Sequence, residues 1–326
     1  MTIGLISSFL RAGHSLTVAS VIVPFLLGQP AVAAESGRLA ELRAQALSLV
    51  NATRKQHGLN PLQSTEILNS AAQAHAEDML RRNYYSHTSP EGETISDRYR
   101  DRGGSRWKKV AENIARCTGC PAVPSASRVA ELQEGWMNSP GHRQNILANG
   151  LESFGFGIIG ESGREFAVQT FAGPGVPVAL QPDEEAAELS PPEQVDVAAR
   201  MINRERRREG LAPVKASGAL NAVAQRLVPK GESEERIMKQ PDRLYDLLPE
   251  DSETQWKKIE VVAGGCGGCG AKPTAADIRY FVDQWLQDPQ NGRTLLSSDA
   301  TQIGFAMFAN GEGRKIGIAV TGDTSE

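Results

Sequence analysis

Histidine is scarce in this chain. There are five in 326 residues, at positions 14, 57, 75, 87 and 142, and the second half has none. Chemistry that needs an imidazole must come from the first half. Cysteine is limited to Cys117, Cys120, Cys266 and Cys269, in two C-x-x-C pairs, too few for a scaffold held together mainly by disulfides. A basic excess is also missing. The net charge of −4 and a pI near 5.9 argue against a nucleic-acid partner, because phosphate binding wants a basic face. The one basic cluster, Arg204 with Arg206, Arg207 and Arg208, has Glu205 and Glu209 interleaved and reads as a solvated helix face. No apolar run after Leu27 approaches the roughly 20 residues that cross a bilayer, so no integral span is expected in the mature protein.

The first residues carry the compartment signal. Arg11 and His14 precede a short apolar stretch, Leu16 to Leu27, which is followed by Gln29-Pro30 and Ala31-Val32-Ala33. A weakly positive start, a short apolar run and an A-x-A exit make a signal peptide over residues 1–34, cleaved near Ala33-Ala34. The mature protein is expected to be secreted, in a periplasm or outside the cell. In that compartment a disulfide within each C-x-x-C pair is the leading reading. A thioredoxin-like redox pair and one Cys₄ zinc site shared by both pairs are the alternatives.

A long internal repeat organises the rest. Trp107-Lys108-Lys109 recurs as Trp256-Lys257-Lys258, and Cys117/Cys120 as Cys266/Cys269, all at an offset of 149. The same offset relates Trp136 to Trp285, Pro140 to Pro289 and Gly155 to Gly304. Upstream, Asn51 matches Asn203 and Gly58-Leu59 matches Gly210-Leu211 at an offset of 152, so about three residues were lost between the two blocks. A period this long indicates duplication of a whole domain. The Pro- and Glu-rich stretch after Gly175 is the natural linker. The expected domains are therefore 36–175 and 190–324, joined by 176–189.

Helical spacing places helices over Leu39–Val50, Thr65–Arg82, Ile95–Arg102 and Ser127–Met137, with another from Pro140 to Leu147. A strand is expected through Val110–Ala115. The apolar runs Phe154–Ile159 and Phe166–Phe171, split by Gly160 to Gly163, read as a β-hairpin, which Gln302–Ala309 and Lys315–Val320 repeat. The class is α+β, helices packed on an antiparallel sheet, in two tandem copies. Trp107, Trp136, Trp256 and Trp285 occur in both copies and are assigned to cores.

What both copies keep is scaffold, and what only one holds is a candidate site. His142 maps to Asn291 and Glu112 to Val261, while His87 falls where the second copy has Val228-Pro229-Lys230-Gly231. The segments Tyr84–Pro90, Ala111-Glu112-Asn113-Ile114-Ala115, Trp136–Leu147 and Phe154-Gly155-Phe156-Gly157 come in the order and spacing of bacterial CAP domains. The first half thus resembles the superfamily of cysteine-rich secretory proteins, antigen 5 and pathogenesis-related proteins. That resemblance implies an α-β-α sandwich with a groove in which two His and two acidic residues gather, often around a divalent cation. Carried over, the histidines are His87 and His142 and the first acid is Glu112. The second acid should follow the Trp by three residues, where this chain has Ser139; Glu131 or Glu134 lie one turn back.

Three functional classes follow. The leading one is a secreted binding module in which His87, His142 and Glu112 hold Zn²⁺ or another divalent cation and an extracellular ligand, whether lipid, envelope polymer or protein. The rival is a hydrolase of peptide or envelope polymer with Glu112 and His142 as candidate catalytic groups. The third is a structural protein whose second copy docks on the first or on a partner. His75 and His57 are expected to be structural, and Ser86, Ser89 and Ser139 to be cap and turn residues.

Overall fold

The computed structural model describes residues 29–229, 244–250, 252 and 256–324. The signal segment Arg11 to Leu27 lies outside the described residues, as do Lys230 and Gly231. Contacts divide the chain into one unit of Met1–Arg38 and another of Leu39–Glu326, and both repeats belong to the second.

The first copy runs α1 (Gln29–Gln56), β1 (Gln63–Ser64), α2 (Glu66–Arg82), α3 (Ile95–Asp101), β2 (Lys109–Thr118), α4 (Ala126–Asn138), α5 (Pro140–Ile146), β3 (Ser153–Glu161) and β4 (Arg164–Gly173). The second runs α6 (Pro191–Arg208), β5 (Lys215–Ala216), α7 (Gly218–Leu227), a 3₁₀ turn at Leu244–Leu247, β6 (Trp256–Cys266), α8 (Ala275–Gln287), α9 (Pro289–Leu295), β7 (Gln302–Ala309) and β8 (Lys315–Thr324). Local signals start these helices where expected. Thr94 and Asp97 form a reciprocal capping box at α3, and Ser125 caps α4. Each sheet has four strands, ordered β1-β3-β4-β2 and β5-β7-β8-β6. The expected antiparallel sheet is thus bordered by a two-residue parallel strand in each copy, too short to leave a periodic signal.

In each copy helices cover both faces of the sheet. Leu42, Ala46, Val50, Val129, Leu132 and Trp136 pack with Phe154, Phe156 and Phe171, whereas Ala72, Ala76 and Met79 pack against Ile114 and Val168. Gly155 lets α2 lie directly on the sheet: a Cβ there would stand 2.2 Å from the Leu68 backbone. Gly304 and Leu220 repeat this contact at 2.2 Å. Arg54 and Arg206 are also equivalent, each buried and donating to carbonyls at and just after the end of α5 or α9: Ile146 and Ala148, and Leu295 and Ser297. Arg206 therefore corrects the reading of its cluster as a solvated face. Arg204 and Arg208 do face solvent, paired with Glu205.

Both C-x-x-C pairs are closed as local disulfides, Cys117–Cys120 and Cys266–Cys269, which removes the shared zinc alternative. The second loop also docks on the first copy. Gly268 N–H donates to the Trp107 carbonyl at 2.7 Å and Gly270 N–H to the Pro174 carbonyl at 2.8 Å. Arg314 lies 4.5 Å from the centre of the Trp107 ring, and Gly175 forms an isolated bridge with the buried Cys269. Trp107 is accordingly half-buried at the junction of the copies, not in a core as expected, whereas Trp136, Trp256 and Trp285 are buried in theirs.

Candidate functional site

The strand β2 sets Glu112 opposite Thr170 of β4, and the Glu112 side chain is only 1% exposed. A carboxylate buried this deeply needs partners for both oxygens. His87, from the loop between α2 and α3, donates Nδ1–H to Oε1 at 2.9 Å. Arg98, on α3, donates to Oε2 at 2.9 Å and is itself buried. The same guanidinium donates to the carbonyls of His87 and Glu93 at 3.0 Å each, so it both neutralises the carboxylate and pins the His87 loop. His75, buried on α2, sits behind: its Nε2 is 3.0 Å from the Ser86 carbonyl and 3.8 Å from Glu112 Oε1.

His142 lies on α5, which asparagines moor to β2. Asn145 donates to the Glu112 carbonyl at 3.0 Å and to Asn113 Oδ1 at 2.9 Å, and Asn113 donates to the His142 carbonyl at 3.2 Å. A buried amide relay continues inward, Asn113 to Gln169 at 3.2 Å and Gln169 to Gln133 at 2.9 Å. Partial burial lowers the His142 pKa, and the charge of His87 lowers it further. Burial likewise lowers the His75 pKa, against the pull of the Glu112 charge. His87 thus meets Glu112 directly, while His142 is tied to β2 through its backbone carbonyl.

Other candidates fall elsewhere. Glu131 is paired with Arg128 and its side chain is 62% exposed, and Glu134 is exposed, so neither supplies the second acid. Ser86 Oγ accepts from the Thr88 N–H and Ser89 Oγ from the Glu93 N–H, both turn contacts. Ser139 starts α5 without a side-chain cap bond. His57 bonds Thr53 of its own helix and Arg143 of α5, a structural link.

Among the described residues, no three His, Cys, Asp or Glu side chains stand together in a way that would hold a metal ion. Glu112 is the reason. Its oxygens are taken by His87 and Arg98, and the buried guanidinium cancels the charge that would attract a cation. A three-ligand set with Glu112 in direct contact does not fit.

The second copy lacks the supports as well as the site. At the offset of 149 Arg98 becomes Leu247, Asn113 becomes Val262 and Gln133 becomes Val282, and by strand register Gln169 corresponds to Ala319. Val262, Val282 and Ala319 lie in one apolar core there. Arg98, Gln133 and Gln169 were not picked out from sequence, and Asn113 only as part of a motif, whereas His75 is the buried structural histidine expected. Following the repeat past its ionisable residues to the amides would have found most of them.

A family model described as CAP, the cysteine-rich secretory protein family, matches residues 47–171 and 199–323. The uncharacterized protein YkwD of Bacillus subtilis (strain 168) is 38% identical over 117 residues, which is 36% of this chain and 42% of that one. The uncharacterized membrane protein YlbC of the same organism is 33% identical over 129 residues, 39% of this chain and 33% of that one. The chain thus spans less than half the length of either relative. A solved structure of an extracellular protein containing an SCP domain, from Bacillus anthracis str. Ames, is 32% identical, with 40% of each chain covered and a TM-score of 0.34.

Proposed function

The chain belongs to the cysteine-rich secretory protein (CAP) family, and on that premise we propose that its first copy is an extracytoplasmic ligand-binding module whose contact groups are the outer nitrogens of His87 and His142. One observation carries this reading: Glu112 holds Nδ1 of His87 at 2.9 Å while the ring remains 54% exposed. A carboxylate on Nδ1 fixes the tautomer and leaves the Nε2 lone pair for a ligand. Two such nitrogens suit a divalent cation of the zinc type, with Glu112 as the outer carboxylate that orients a ligating histidine. When bound, the ion would supply an electrophilic contact for an oxygen of the ligand. Arg98 and the two asparagines keep the rings in place. The second copy supports the assignment, since it keeps the architecture without these groups.

Zinc titration of the full chain tests the reading. His87→Ala and His142→Ala should each abolish measurable binding, and Glu112→Gln should weaken it about 10–100-fold, as removal of an outer-shell partner does. Identical isotherms for wild type and both histidine variants would end it. A carboxylate-oriented imidazole is also the arrangement of a general base, which is the one observation favouring hydrolysis. Turnover of peptides or muropeptides that Glu112→Gln abolishes would establish that second reading.

A further inference from the structure

Each copy pins the start of a helix to the start of a strand with an ion pair, and the signs are exchanged between the copies. Arg128 and Asp277 are equivalent at the offset of 149, each the third residue of its helix, α4 or α8. Glu165 and Lys315 are equivalent by register, because they stand opposite Cys117 and Cys266 on the neighbouring strands. In the first copy Arg128 Nε donates to Glu165 at 2.6 Å, and the Glu165 side chain is 2% exposed. In the second, Lys315 donates to Asp277 at 2.5 Å, with side chains 0% and 2% exposed.

Local helix preference does not account for the reversal. Asp277 completes a capping box with Thr274 and suits the positive end of α8, whereas Arg128 opposes the dipole of α4. Buried ion pairs add little stability over apolar residues of the same size, and their best-attested use is to fix which elements pair. Such a choice exists here. The hairpins β3–β4 and β7–β8 both end in a ten-residue strand, and both pack a glycine, Gly155 or Gly304, against a helix backbone. Exchange of like elements is a characteristic failure of repeated domains.

Exchange across copies would meet a charge clash at either seat. With β7–β8 seated against α4, Lys315 would face Arg128, which would keep only the exposed Glu131 as a partner. With β3–β4 seated against α8, Glu165 would face Asp277. Like charges brought together out of water are costly. We propose that the exchanged polarity is a pairing code, which restricts each helix to the hairpin of its own copy and so prevents cross-copy exchange between neighbouring chains.

Refolding of the full chain from urea with its disulfides intact tests this, read by size-exclusion chromatography with light scattering. A cross-copy exchange is head-to-tail, so it gives oligomers that survive dilution and return to monomer only after a second unfolding. Arg128→Asp with Glu165→Lys gives both copies one polarity, in a pair the second copy already accommodates, and should raise that oligomer at least about threefold over wild type. Adding Asp277→Arg and Lys315→Glu makes the polarities opposite again and should restore the wild-type fraction. Arg128→Gln with Glu165→Gln removes the first pair without matching the copies and should stay within about twofold of wild type, which separates lost stability from lost discrimination. A folded matched variant at the wild-type fraction overturns the proposal. So does an equal rise in the glutamine variant, or a fourfold exchange that stays as oligomeric as the matched variant. If the matched variant yields no folded protein, recovery by the fourfold exchange supports the code, and failure of both overturns it.

Discussion

Replacing Arg98 by leucine tests how the first copy holds its buried charge. The guanidinium is 2% exposed, lies 2.9 Å from Glu112 and also serves two carbonyls. Its loss strands a carboxylate that is 1% exposed, and breaking a buried pair from one side costs about 3–5 kcal/mol. Replacing both members should cost far less. The second copy already carries the exchange, with Leu247 and Val261 at the equivalent positions packed against one apolar cluster. For Arg98→Leu with Glu112→Val the residual cost is the two unserved carbonyls of His87 and Glu93, about 1–2 kcal/mol in total. Urea unfolding of the full chain at neutral pH measures this, with constant slope as the sign that stability alone has changed. The double variant should be at least about 2 kcal/mol more stable than Arg98→Leu. A double variant no more stable than the single one would refute the buried-charge argument.

Three other outcomes are expected. Burial depresses the His75 pKa, so the unfolded chain takes up the proton first; stability is complete above pH of about 6.5 and is lost as pH falls through the folded value. His75→Leu, the residue the second copy has as Leu227, should therefore flatten the acid side of a Tm-against-pH curve, leaving the smaller slope of His142, and an unchanged slope would contradict the assignment. Gly175→Ala puts a Cβ 2.0 Å from the Gly268 carbonyl at φ of +75°, and should cost more than about 1 kcal/mol and speed proteolysis within the 176–189 linker; unchanged cleavage would show that the junction tolerates it. Under mild reductant, Cys117–Cys120 should open before Cys266–Cys269, because Cys269 is fully buried at the junction, and mass-tagged peptides that show the reverse order would contradict that burial.

The architecture was largely legible because it is written twice. Strands and helices with two or more turns leave a periodic trace, and the constant offset from Trp107 to Gly304 fixed their correspondence. The candidates His87, Glu112 and His142 came from the contrast between copies and the family resemblance, and the structure sets His87 against Glu112. What escaped were features set by contacts distant in sequence. The two-residue strands β1 and β5 exist only because a neighbour accepts them. Arg98 reads as one more charge on a helix until α3 is laid beside Glu112, and Arg206 as one of four basic residues until its carbonyl partners close over it. Trp107 matches Trp256 in sequence, yet different surroundings send one to a junction and the other inward.

That last difference makes the contact between the copies one-sided. One copy's disulfide loop and hairpin turn seat on the other copy's tryptophan, a head-to-tail contact of the kind that, if each unit offered the same acceptor, would build open filaments. Trp256 offers none: a register shift at the start of β6 accompanies its burial against Gly322 and Leu220, where it is 8% exposed. Among the described residues the acceptor therefore occurs once, and the contact that the second copy makes on the first has no counterpart on the second.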